Sequence, residues 1–599
     1  MWQQTELCIF RAQLRLRTFY LSGEKKVEEE KKLTGYPSID KPWLKYYPKE
    51  AFETPMPKCS IYEYLWQNNK NHPDDIAIVF YDKKITYREL FKNIDIVARA
   101  FASVGVKEND VVTLMMLNQP ETVYCFYALS KLGAVTCVIN LLSSIDEIEH
   151  YLSEGKSRFL VTLDAFFEKA YAAVQTGGVE KLIHVPLFHS RDILHRAGYR
   201  MKIKAPKVAD PRVLSWQAFL HGAQSNPLPK VTRSSSDCAL IGHTTGTTGF
   251  PKGIMLSDDA CNAIPAQQIH LFGHVRQDSL LNLVVPFALY GLLDNLHVPL
   301  SFGMKTILIP KVDPNAVDEI IIKFRPNYVA SIPIYWTSVI NSKKIKDLSF
   351  LKMAAAGGAG LSYEQLVQLN EVLKRYYAST EMLTGYGMSE VGSIASAQMN
   401  GHAVPHSVGL PLPQNIIGAF DPETLKEKRY NEIGELCIYS PSTMLGYLEN
   451  EEATTAALKQ HDDGRVWMHS GDLGYVDENG DVFIQGRMKR IYLTVFQGAP
   501  YKINPNRIEE ALIQHDAVSE CGVVCISNGP NIYLPIAFCV LHEGCSATLS
   551  GVETELRELS KVELPEFDAP ARYFFQDSLP HTAQGKIDYL ALEELAKTE

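Results

Sequence analysis

The sequence predicts an α/β protein in which a large N-terminal domain is followed by a small C-terminal one. From residue 36 to about residue 430, short apolar runs alternate with amphipathic segments, which is typical of strands and helices in largely parallel sheets. After that point the pattern changes to short strands and turns, which indicates a β-rich subdomain. The length of 599 residues allows about four structural units, and roughly the last 110 residues suffice for a small α+β domain.

The alternation in the first part of the chain assigns individual elements. In order, it predicts a strand at 75–81, a helix at 86–102, a strand at 110–116, a helix at 119–132 and a strand at 134–140. The first of these helices has a start signal, because Thr86 opens it and Glu89 follows three residues later, as in a capping box.

Later segments set the domain boundaries. The turn residues at 477–480 (DENG) separate two alternating runs and predict a β-hairpin. Past Arg487 the pattern returns to mixed helices and strands. We therefore predict a poorly ordered N-terminal extension at 1–35, a large domain at 36–488 and a small C-terminal domain at 489–599.

Composition and charge exclude several classes of protein. The chain has 59 Lys and Arg against 69 Asp and Glu, a net charge of −10, and shows no dense basic stripe interleaved with aromatic residues, so nucleic acid is not an expected partner. The most apolar stretch, 280–304, is interrupted by polar residues, glycine and proline, which predicts buried elements and no transmembrane span. The 11 cysteines lack paired CxxC spacing and indicate reduced thiols in a cytoplasmic protein.

The most informative segment is 238–257 (CALIGHTTGTTGFPKGIMLS), where a loop rich in Thr and Gly joins two apolar strands. Glycines let backbone N–H groups approach an oxyanion, hydroxyls donate further hydrogen bonds, and Lys252 supplies a positive charge. The loop is not the NTPase form, because Pro251 precedes the lysine and Gly253 follows it. A polar hairpin turn would explain Gly and Thr but not the dense succession ending in Pro-Lys-Gly, so we predict a phosphate-binding loop.

Five segments in order resemble the adenylate-forming enzymes, the family of acyl- and aryl-CoA synthetases, adenylation domains of nonribosomal peptide synthetases and luciferases. They are the phosphate loop at 244–253, Tyr386-Gly387-Met388-Ser389-Glu390, Ser470-Gly471-Asp472-Leu473, Gly486-Arg487-Met488-Lys489, and the C-terminal lysine segment at 580–586 (PHTAQGK). The resemblance covers about residue 36 to the end and is closest to the acyl-CoA synthetase branch.

The resemblance implies a reaction in two halves. A carboxylate of a small-molecule acid attacks the α-phosphorus of ATP to give acyl-AMP and pyrophosphate, and a thiol then attacks the mixed anhydride. It implies ATP, Mg²⁺ and, as co-substrate, CoA. Glu390 is implied as a catalytic residue and as the magnesium ligand, with an ordinary surface carboxylate as the alternative. The residues implied to hold phosphate are the catalytic Thr244, with Thr245, Gly246, Thr247, Thr248, Gly249 and Lys252.

The same resemblance implies a nucleoside site. Tyr386 would lay its ring on the adenine, with core packing as the alternative role, and Asp472 would accept hydrogen bonds from the ribose, with turn capping as the alternative. Arg487 would donate to the sugar or the phosphate, the alternative being a solvated charge. The other residues implied to line this site are Gly358, Ala359, Gly360, Gly387, Met388 and Ser389.

Two lysines complete the implied machinery. Lys586, on the small domain, would reach into the cleft and offset charge that develops on the carboxylate and the α-phosphate. Adenylation would then need a closed arrangement of the domains, and thiol attack would need Lys586 withdrawn. Lys489 occupies the hinge position, where a change of backbone dihedrals would swing a mobile C-terminal domain.

The acid pocket is predicted from the segment 285–291 (VPFALYG). Amino-acid-activating relatives place an Asp immediately after the Phe of this segment, where it binds the α-ammonium group, whereas here Ala288 follows Phe287. A buried ammonium would lack a counter-charge, so the resemblance implies a non-amino acid, fatty or aryl. Tyr290 and Trp336 are predicted to line an otherwise apolar pocket.

The thiol is less determined than the acid. Acyl-CoA synthetases carry a glycine-bearing loop soon after the hinge, and here 493–502 (LTVFQGAPYK) is longer by about three residues, which displaces Gly498. A carrier-protein thiol therefore stays open as the alternative to CoA. A non-catalytic ligand-binding relative would lack Glu390, Asp472 or Lys586, and all three are present.

Overall fold

The structure is a computed structural model. It describes residues 33–598 apart from gaps at 177, 191–205, 207, 225–226, 245–250, 270, 359–360, 362, 491, 497–498, 529–531, 543, 546–547 and 582–585. The predicted extension at 1–35 lies outside the described residues except for its last three.

The strands form five sheets. In chain order they are β1 Ile76–Phe80, β2 Lys83–Thr86, β3 Val111–Met115, β4 Val135–Val138, β5 Phe159–Leu163, β6 Lys181–Val185, β7 Val213–Ser215, β8 Cys238–His243, β9 Gly253–Ser257, β10 Ser279–Asn282, β11 Lys305–Leu308, β12 Tyr328–Ser331, β13 Met353–Ala356, β14 Met382–Tyr386, β15 Ser396–Ala397, β16 Leu410–Pro411, β17 Ile416–Phe420, β18 Gly434–Tyr439, β19 Gly446–Tyr447, β20 Leu458–Gln460, β21 Val466–Val476, β22 Val482–Arg487, β23 Tyr492–Phe496, β24 Ala499–Ile503, β25 Val518–Ser527, β26 Tyr533–Leu541 and β27 Arg572–Phe575.

Helices cover the sheets and connect the parallel strands. In chain order they are α1 Pro37–Asp40, α2 Glu50–Glu53, α3 Ile61–Asn69, α4 Tyr87–Ser103, α5 Pro120–Lys131, α6 Ile145–Glu154, α7 Phe167–Ala173, α8 Trp216–His221, α9 Asp258–Gln268, α10 Tyr290–His297 (a π-helix), α11 Val298–Ser301, α12 Val317–Phe324, α13 Thr337–Ile340, α14 Tyr363–Arg375, α15 Glu451–Ala457, α16 Pro505–Leu512, α17 Leu549–Glu563 and α18 Tyr589–Thr598. The 3₁₀ turns used below are Pro333–Trp336, Ser389–Val391 and Met488–Arg490.

The five elements predicted from the alternation are present as β1, α4, β3, α5 and β4. The capping box of α4 is confirmed: the Glu89 N–H donates to Thr86 Oγ1 at 3.2 Å, and the Thr86 N–H donates to Glu89 Oε2 at 2.9 Å. These two bonds satisfy backbone donors that the first turn of a helix leaves without partners.

Two large sheets build the N-terminal body. Within the described residues, one sheet has the order β19-β9-β8-β4-β3-β5-β6-β7, and its strands from β8 to β7 run parallel. The other has the order β16-β15-β14-β13-β12-β10-β11-β1-β2, with parallel strands from β14 to β1. In β5 all five residues are buried, as expected for a parallel strand covered on both faces.

The β-rich subdomain is an antiparallel sheet of order β17-β18-β21-β20, with β22 paired to β21. The hairpin predicted at 477–480 joins β21 to β22, and the Asp477 N–H donates to the Asp481 carbonyl at 3.0 Å across it. Gly480 takes a φ of +97° in this turn, a conformation that side chains with a Cβ rarely adopt.

The C-terminal part consists of the hairpin β23-β24 and a sheet of order β25-β26-β27, which α16, α17 and α18 cover. It has its own hydrophobic core, which includes Ile508, Leu512, Val523 and Leu556. This architecture confirms the predicted fold class, a large α/β body with a β-rich subdomain and a small α+β C-terminal unit.

Within the described ranges, we find no helix that is both long and apolar enough to cross a membrane. The apolar stretch at 280–304 forms most of β10 together with α10 and α11, all of it inside the body. The described cysteines are free thiols.

Candidate active site

A cavity of about 780 Å³ lies where the two large sheets, the β-rich subdomain and the C-terminal unit meet. Its walls are built from segments that follow the carboxyl ends of parallel strands. These are residues 139–140 after β4, 284–290 after β10, 332–335 after β12 and 357–358 after β13. Ligands of open α/β sheets bind at this edge, because loops and helix N-termini converge there.

The predicted phosphate loop leaves β8 and returns on β9 at this edge. Its ends are closed by two hydrogen bonds: the Thr244 N–H donates to the Lys252 carbonyl, and the Lys252 N–H donates to the side-chain Oγ1 of Thr244, both at 3.0 Å. Thr244 lines the cavity. Thr245, Gly246, Thr247, Thr248 and Gly249 lie outside the described residues.

Lys252 and Glu390 are linked by a residue that the sequence motifs did not single out. Tyr447, on the edge strand β19 next to β9, donates its hydroxyl to Glu390 Oε1 at 2.8 Å. The Lys252 ammonium lies over the same ring, 4.7 Å from its centroid. Tyr447 therefore fixes the carboxylate of Glu390 and holds the lysine of the phosphate loop beside it.

Glu390 fits the role of a magnesium ligand. Magnesium in nucleotide sites is bound through one or two carboxylates together with substrate phosphates, and Glu390 presents a carboxylate to the cavity close to the phosphate loop. The tyrosine bond occupies only one of the several acceptor positions of this carboxylate. The other acceptor positions of the Glu390 carboxylate can coordinate a hard cation such as Mg²⁺.

Tyr386, Asp472 and Arg487 form one cluster, in which Tyr386 and Asp472 are buried and Arg487 is exposed. The Tyr386 hydroxyl donates to Asp472 Oδ2 at 2.7 Å, and Arg487 Nε donates to Asp472 Oδ1 at 2.8 Å. Asp472 is only 3% exposed, and this burial raises its pKa, while Arg487 and the Tyr386 hydroxyl act in the opposite direction. Arg487 opposes Asp472 across β21 and β22, which explains how residues 15 positions apart meet.

Gly387 shows why the segment after β14 needs a glycine. A Cβ at this position would collide with the carbonyl oxygen of Ser393, so no other residue fits without moving the backbone. Gly387, Met388 and Ser389 all line the cavity next to Tyr386, as does Gly358 after β13. Ala359 and Gly360 lie outside the described residues.

A buried chain of polar side chains holds the turn that carries Asp472. Glu435 accepts from the Gly471 N–H at 3.0 Å and from His469 Nδ1 at 2.8 Å. The other ring nitrogen of His469, Nε2, lies 2.9 Å from Nε2 of His461. These bonds fix the backbone beside Asp472, and they too escaped the sequence motifs.

Lys586 reaches the same cavity from the C-terminal unit. Its side chain is solvent-exposed within the cleft, and desolvation by the surrounding cleft walls lowers the pKa of its ammonium group. The charge of Arg487 lowers the pKa further, whereas the carboxylates of Asp472 and Glu390 raise it. The four charged groups are thus near enough to act on one another. Residues 582–585 of the lysine segment lie outside the described residues.

The predicted hinge falls between two well-anchored arginines. Arg487 belongs to the cavity wall, while Arg490 donates to Glu509 Oε1 at 2.7 Å and lies 3.7 Å from the centroid of the Tyr589 ring, both in the C-terminal unit. The turn Met488–Arg490 joins them, and Lys489 is its middle residue.

Three of the residues predicted for the acid pocket lie in the cavity wall. Phe287, Ala288 and Tyr290 line the cavity, together with Ile334 and Tyr335. The structure corrects the expectation for Trp336, which is 1% exposed, packs in the core and donates its Nε1–H to the Ala355 carbonyl at 3.2 Å. A 3₁₀ turn has three residues per turn, so successive side chains of Pro333–Trp336 point about 120° apart and Trp336 faces away from its neighbours.

Polar residues in the pocket wall were missed from the sequence. They are Gln268, His274, Asp294, Asn295 and Gln398, all of which line the cavity and are buried. Burial raises the pKa of Asp294 to about 7, against the opposing effects of Ser393 and Gln268. The sequence could have predicted Asp294 as a pocket residue, because it follows Tyr290 by four residues and residues four apart share a helix face.

The chain matches two known protein-family models. Residues 65–448 match the family model described as AMP-binding enzyme, and residues 507–586 match the model of the AMP-binding enzyme C-terminal domain. The long-chain-fatty-acid–CoA ligase of Bacillus subtilis (strain 168) is 28% identical, covering 91% of this chain and 96% of that protein. The probable 4-coumarate–CoA ligase 1 of Dictyostelium discoideum is 26% identical, covering 89% and 94%.

Solved structures share the fold. ATP-bound MatB from Rhodopseudomonas palustris superposes with a TM-score of 0.77 at 22% identity, covering 90% of this chain and 99% of that one. The anthranilate CoA ligase AuaEII in complex with anthranoyl-AMP gives 0.76 at 22% identity, covering 91% and 98%. Since the first family model alone spans more than half of the sequence, the chain belongs to the family of AMP-binding enzymes.

Proposed function

We propose that this AMP-forming acid–thiol ligase activates a non-amino carboxylic acid, of the fatty or aryl kind, and transfers the acyl group to CoA. The observation that carries the proposal is the convergence of Lys586 on the same cavity as Thr244, Glu390 and Arg487. ATP and CoA are the other substrates. The relatives named as long-chain-fatty-acid–CoA and 4-coumarate–CoA ligases support an acyl-CoA product but differ in the acid.

In the first half-reaction, an oxygen of the substrate carboxylate forms a bond to the α-phosphorus and pyrophosphate leaves. Under the proposal, Lys252 and residues 244–249 hold the phosphates, while Tyr386 stacks on the adenine. Asp472, braced by Arg487, accepts from the ribose hydroxyls. The Lys586 ammonium stabilises the negative charge shared by the attacking carboxylate and the α-phosphate. Magnesium, held by Glu390, would neutralise phosphate charge.

In the second half-reaction, the thiol attacks the carbonyl carbon of the mixed anhydride and AMP leaves. The thiol needs access to that carbon, which the closed position of Lys586 restricts. We propose that the unit at 489–599 turns about residues 488–490 and withdraws Lys586 between the two halves. Gly498, the displaced glycine of the loop after the hinge, lies outside the described residues. The cytoplasmic location stays a prediction.

A panel of fatty, aryl and α-amino acids tests the proposal. With ATP, we expect pyrophosphate release with fatty or aryl acids and a much weaker signal with α-amino acids of like size, since Ala288 offers the α-ammonium no counter-charge. Adding CoA should give a thioester. Efficient release with a common α-amino acid would contradict the acid class, and thioester formation only with a holo-carrier protein would favour the alternative thiol.

The link through Tyr447 gives a separate prediction. In Tyr447→Phe, Glu390 loses a hydrogen bond to a charged acceptor, so we expect adenylation at limiting Mg²⁺ to fall by about tenfold or more, with a higher Mg²⁺ concentration needed for half-maximal rate. The measurement is a Mg²⁺ titration of pyrophosphate release.

Tyr430→Phe is the matched control for this change. Its hydroxyl donates to Asp40 Oδ2 at 2.9 Å, a tyrosine–carboxylate bond that is not part of the cavity wall. We expect it to leave the Mg²⁺ titration unchanged. An identical titration for Tyr447→Phe and the wild type would remove Tyr447 from the phosphate site.

A further inference from the structure

Three side chains of the kind that bind transition metals lie together in the β-rich subdomain, outside the cavity wall. Cys437 on β18, His469 on β21 and His461, which follows β20, each offer one ligand atom, and these atoms all lie within 4.8 Å of one another. Within the described residues, they are the one group of three or more His, Cys, Asp or Glu side chains placed to hold a metal ion. All three side chains are buried.

Strand pairing brings these residues together from separate positions in the sequence. Cys437 opposes His469 across the antiparallel pair β18 and β21, and Cys437 Sγ lies 3.6 Å from His469 Nδ1. β20 pairs with the other end of β21, and the His461 N–H donates to the Arg465 carbonyl at 3.0 Å in the connecting turn. This turn places Nε2 of His461 at 2.9 Å from Nε2 of His469.

The hydrogen bonds of the two rings are compatible with metal binding. Glu435 Oε2 accepts from His469 Nδ1 at 2.8 Å, so the neutral His469 ring carries its proton on Nδ1 and a lone pair on Nε2. A carboxylate in this position is common behind a metal-binding histidine, because it orients the ring and raises its basicity. Nδ1 of His461 has no hydrogen-bond partner among the described residues, so no bond at that atom fixes the tautomer of this ring.

We propose that Cys437, His461 and His469 bind a divalent transition-metal ion of the zinc class, with Glu435 as the outer partner of His469. A thiolate and two imidazoles suit zinc, whereas magnesium and calcium need oxygen ligands. Coordination replaces the S–H bond of Cys437 with a bond from sulfur to the metal, and the proton is released to solvent. The inference goes beyond the proposed function, which uses only the Mg²⁺ held at the cavity.

The spacing of the two rings requires a small adjustment. Two nitrogens bound to a tetrahedral zinc ion lie about 3.3 Å apart, since each Zn–N bond is about 2.0 Å long. Nε2 of His461 and Nε2 of His469 therefore need to separate by about 0.4 Å from their present 2.9 Å. The alternative is a hydrogen bond between the two rings without an ion, in which His461 donates from Nε2 and the Cys437 thiol has no role.

Aromatic side chains enclose the cluster. The His461 ring stacks on Trp467, with 5.7 Å between ring centroids, and meets Phe420 edge to face at 4.7 Å. Buried ligands acquire their ion as the chain folds, so this enclosure does not prevent loading, and the apolar shell limits access of water to the ion. Because Glu435 also accepts from the Gly471 N–H, the ion would brace the turn that carries Asp472.

The test measures the metal content of the full-length chain. The protein is produced without a polyhistidine tag in medium with added zinc, or with cobalt as its spectroscopic substitute, and purified in excess Mg²⁺ so that Glu390 does not retain the transition metal. We expect about one zinc or cobalt ion per chain. The cobalt form should show a thiolate-to-metal charge-transfer band in the near ultraviolet and the intense visible bands of tetrahedral cobalt.

Variants assign the ligands. Cys437→Ala should abolish the charge-transfer band, and Cys437→Ala and His461→Gln should each lower the metal content by about tenfold or more, because each removes a ligand. Glu435→Gln should weaken binding by about tenfold, the scale of a lost outer partner. Cys261→Ala is the matched control, since it removes another fully buried thiol that lies outside the cluster, and its metal content should equal that of the wild type.

Thermal unfolding keeps the test decisive if a variant folds poorly. Wild-type protein from zinc-supplemented medium should unfold about 2–4 °C or more above wild-type protein from zinc-depleted medium, because the ion binds only the folded chain. Cys437→Ala should show no such difference. A wild-type chain without stoichiometric zinc or cobalt, equal metal content in wild type and Cys437→Ala, or an unfolding temperature that does not depend on zinc would overturn the inference in favour of the hydrogen bond between His461 and His469.

Discussion

Lys586→Ala is expected to lower the rate of adenylation by about 10²–10³-fold, the scale of one preorganised donor at a developing charge. The structure places the lysine in one cavity with Glu390 and Arg487, near enough to Asp472 for their charges to interact, so its ammonium is available while the carboxylate attacks the α-phosphorus. The measurement is the single-turnover rate of acyl-AMP formation, followed by pyrophosphate release.

The second half-reaction supplies the internal control. When presynthesised acyl-AMP is given with CoA, Lys586→Ala should form thioester at close to the wild-type rate, because the lysine is withdrawn at that stage. Lys597→Ala, which removes a surface lysine of the same unit paired with Glu594, should leave both rates unchanged. An equal loss in both halves would mean that Lys586 supports the fold or AMP binding and not the first chemical step.

The pH dependence of the adenylation rate should also depend on Lys586. Burial and the charge of Arg487 lower the pKa of Lys586, so its ammonium is lost at lower pH than that of an ordinary lysine. Because the protonated form is the active one, the adenylation rate should fall as pH rises through this lowered pKa. In Lys586→Ala, this fall of the adenylation rate at alkaline pH should be absent.

The sequence predicted those parts of the site that depend on a local run of residues. The phosphate loop, the segment ending in Glu390 and the turn holding Asp472 are each contiguous, so residue types and spacing carry the information. The fold class followed for a similar reason, because strand and helix periods are local. The structure then brought Asp472, Tyr386 and Arg487 together through strand pairing.

The parts that escaped prediction depend on which elements become neighbours. Tyr447 lies on a two-residue edge strand, and only its pairing with β9 places it between Lys252 and Glu390. The prediction that Trp336 lines the pocket was wrong, because a 3₁₀ turn directs its side chain into the core. Asp294 was overlooked because the pocket was read from apolar residues, although its helix position relative to Tyr290 was available.

The hinge gives the second large effect, since Lys489→Pro should separate the two half-reactions. Arg487 is bound to the large body through Asp472, and Arg490 is bound to the C-terminal unit through Glu509, so the backbone change must occur at the residues between them. Proline fixes φ near −65°, a value that the 3₁₀ turn Met488–Arg490 already allows. The substitution therefore fixes φ of residue 489 at a value compatible with the arrangement seen here, in which Lys586 lies in the cavity.

Adenylation by Lys489→Pro should accordingly stay within a few-fold of the wild-type rate, whereas thioester formation from acyl-AMP and CoA should drop by about 10²-fold or more, because the thiol cannot align with the acyl carbon. Lys489→Ala separates backbone from charge, and both of its rates should match the wild type. Thermal unfolding of the two variants tests whether the fold is intact. A folded proline variant that loses both half-reactions equally, or neither, would place the moving backbone elsewhere than at residue 489.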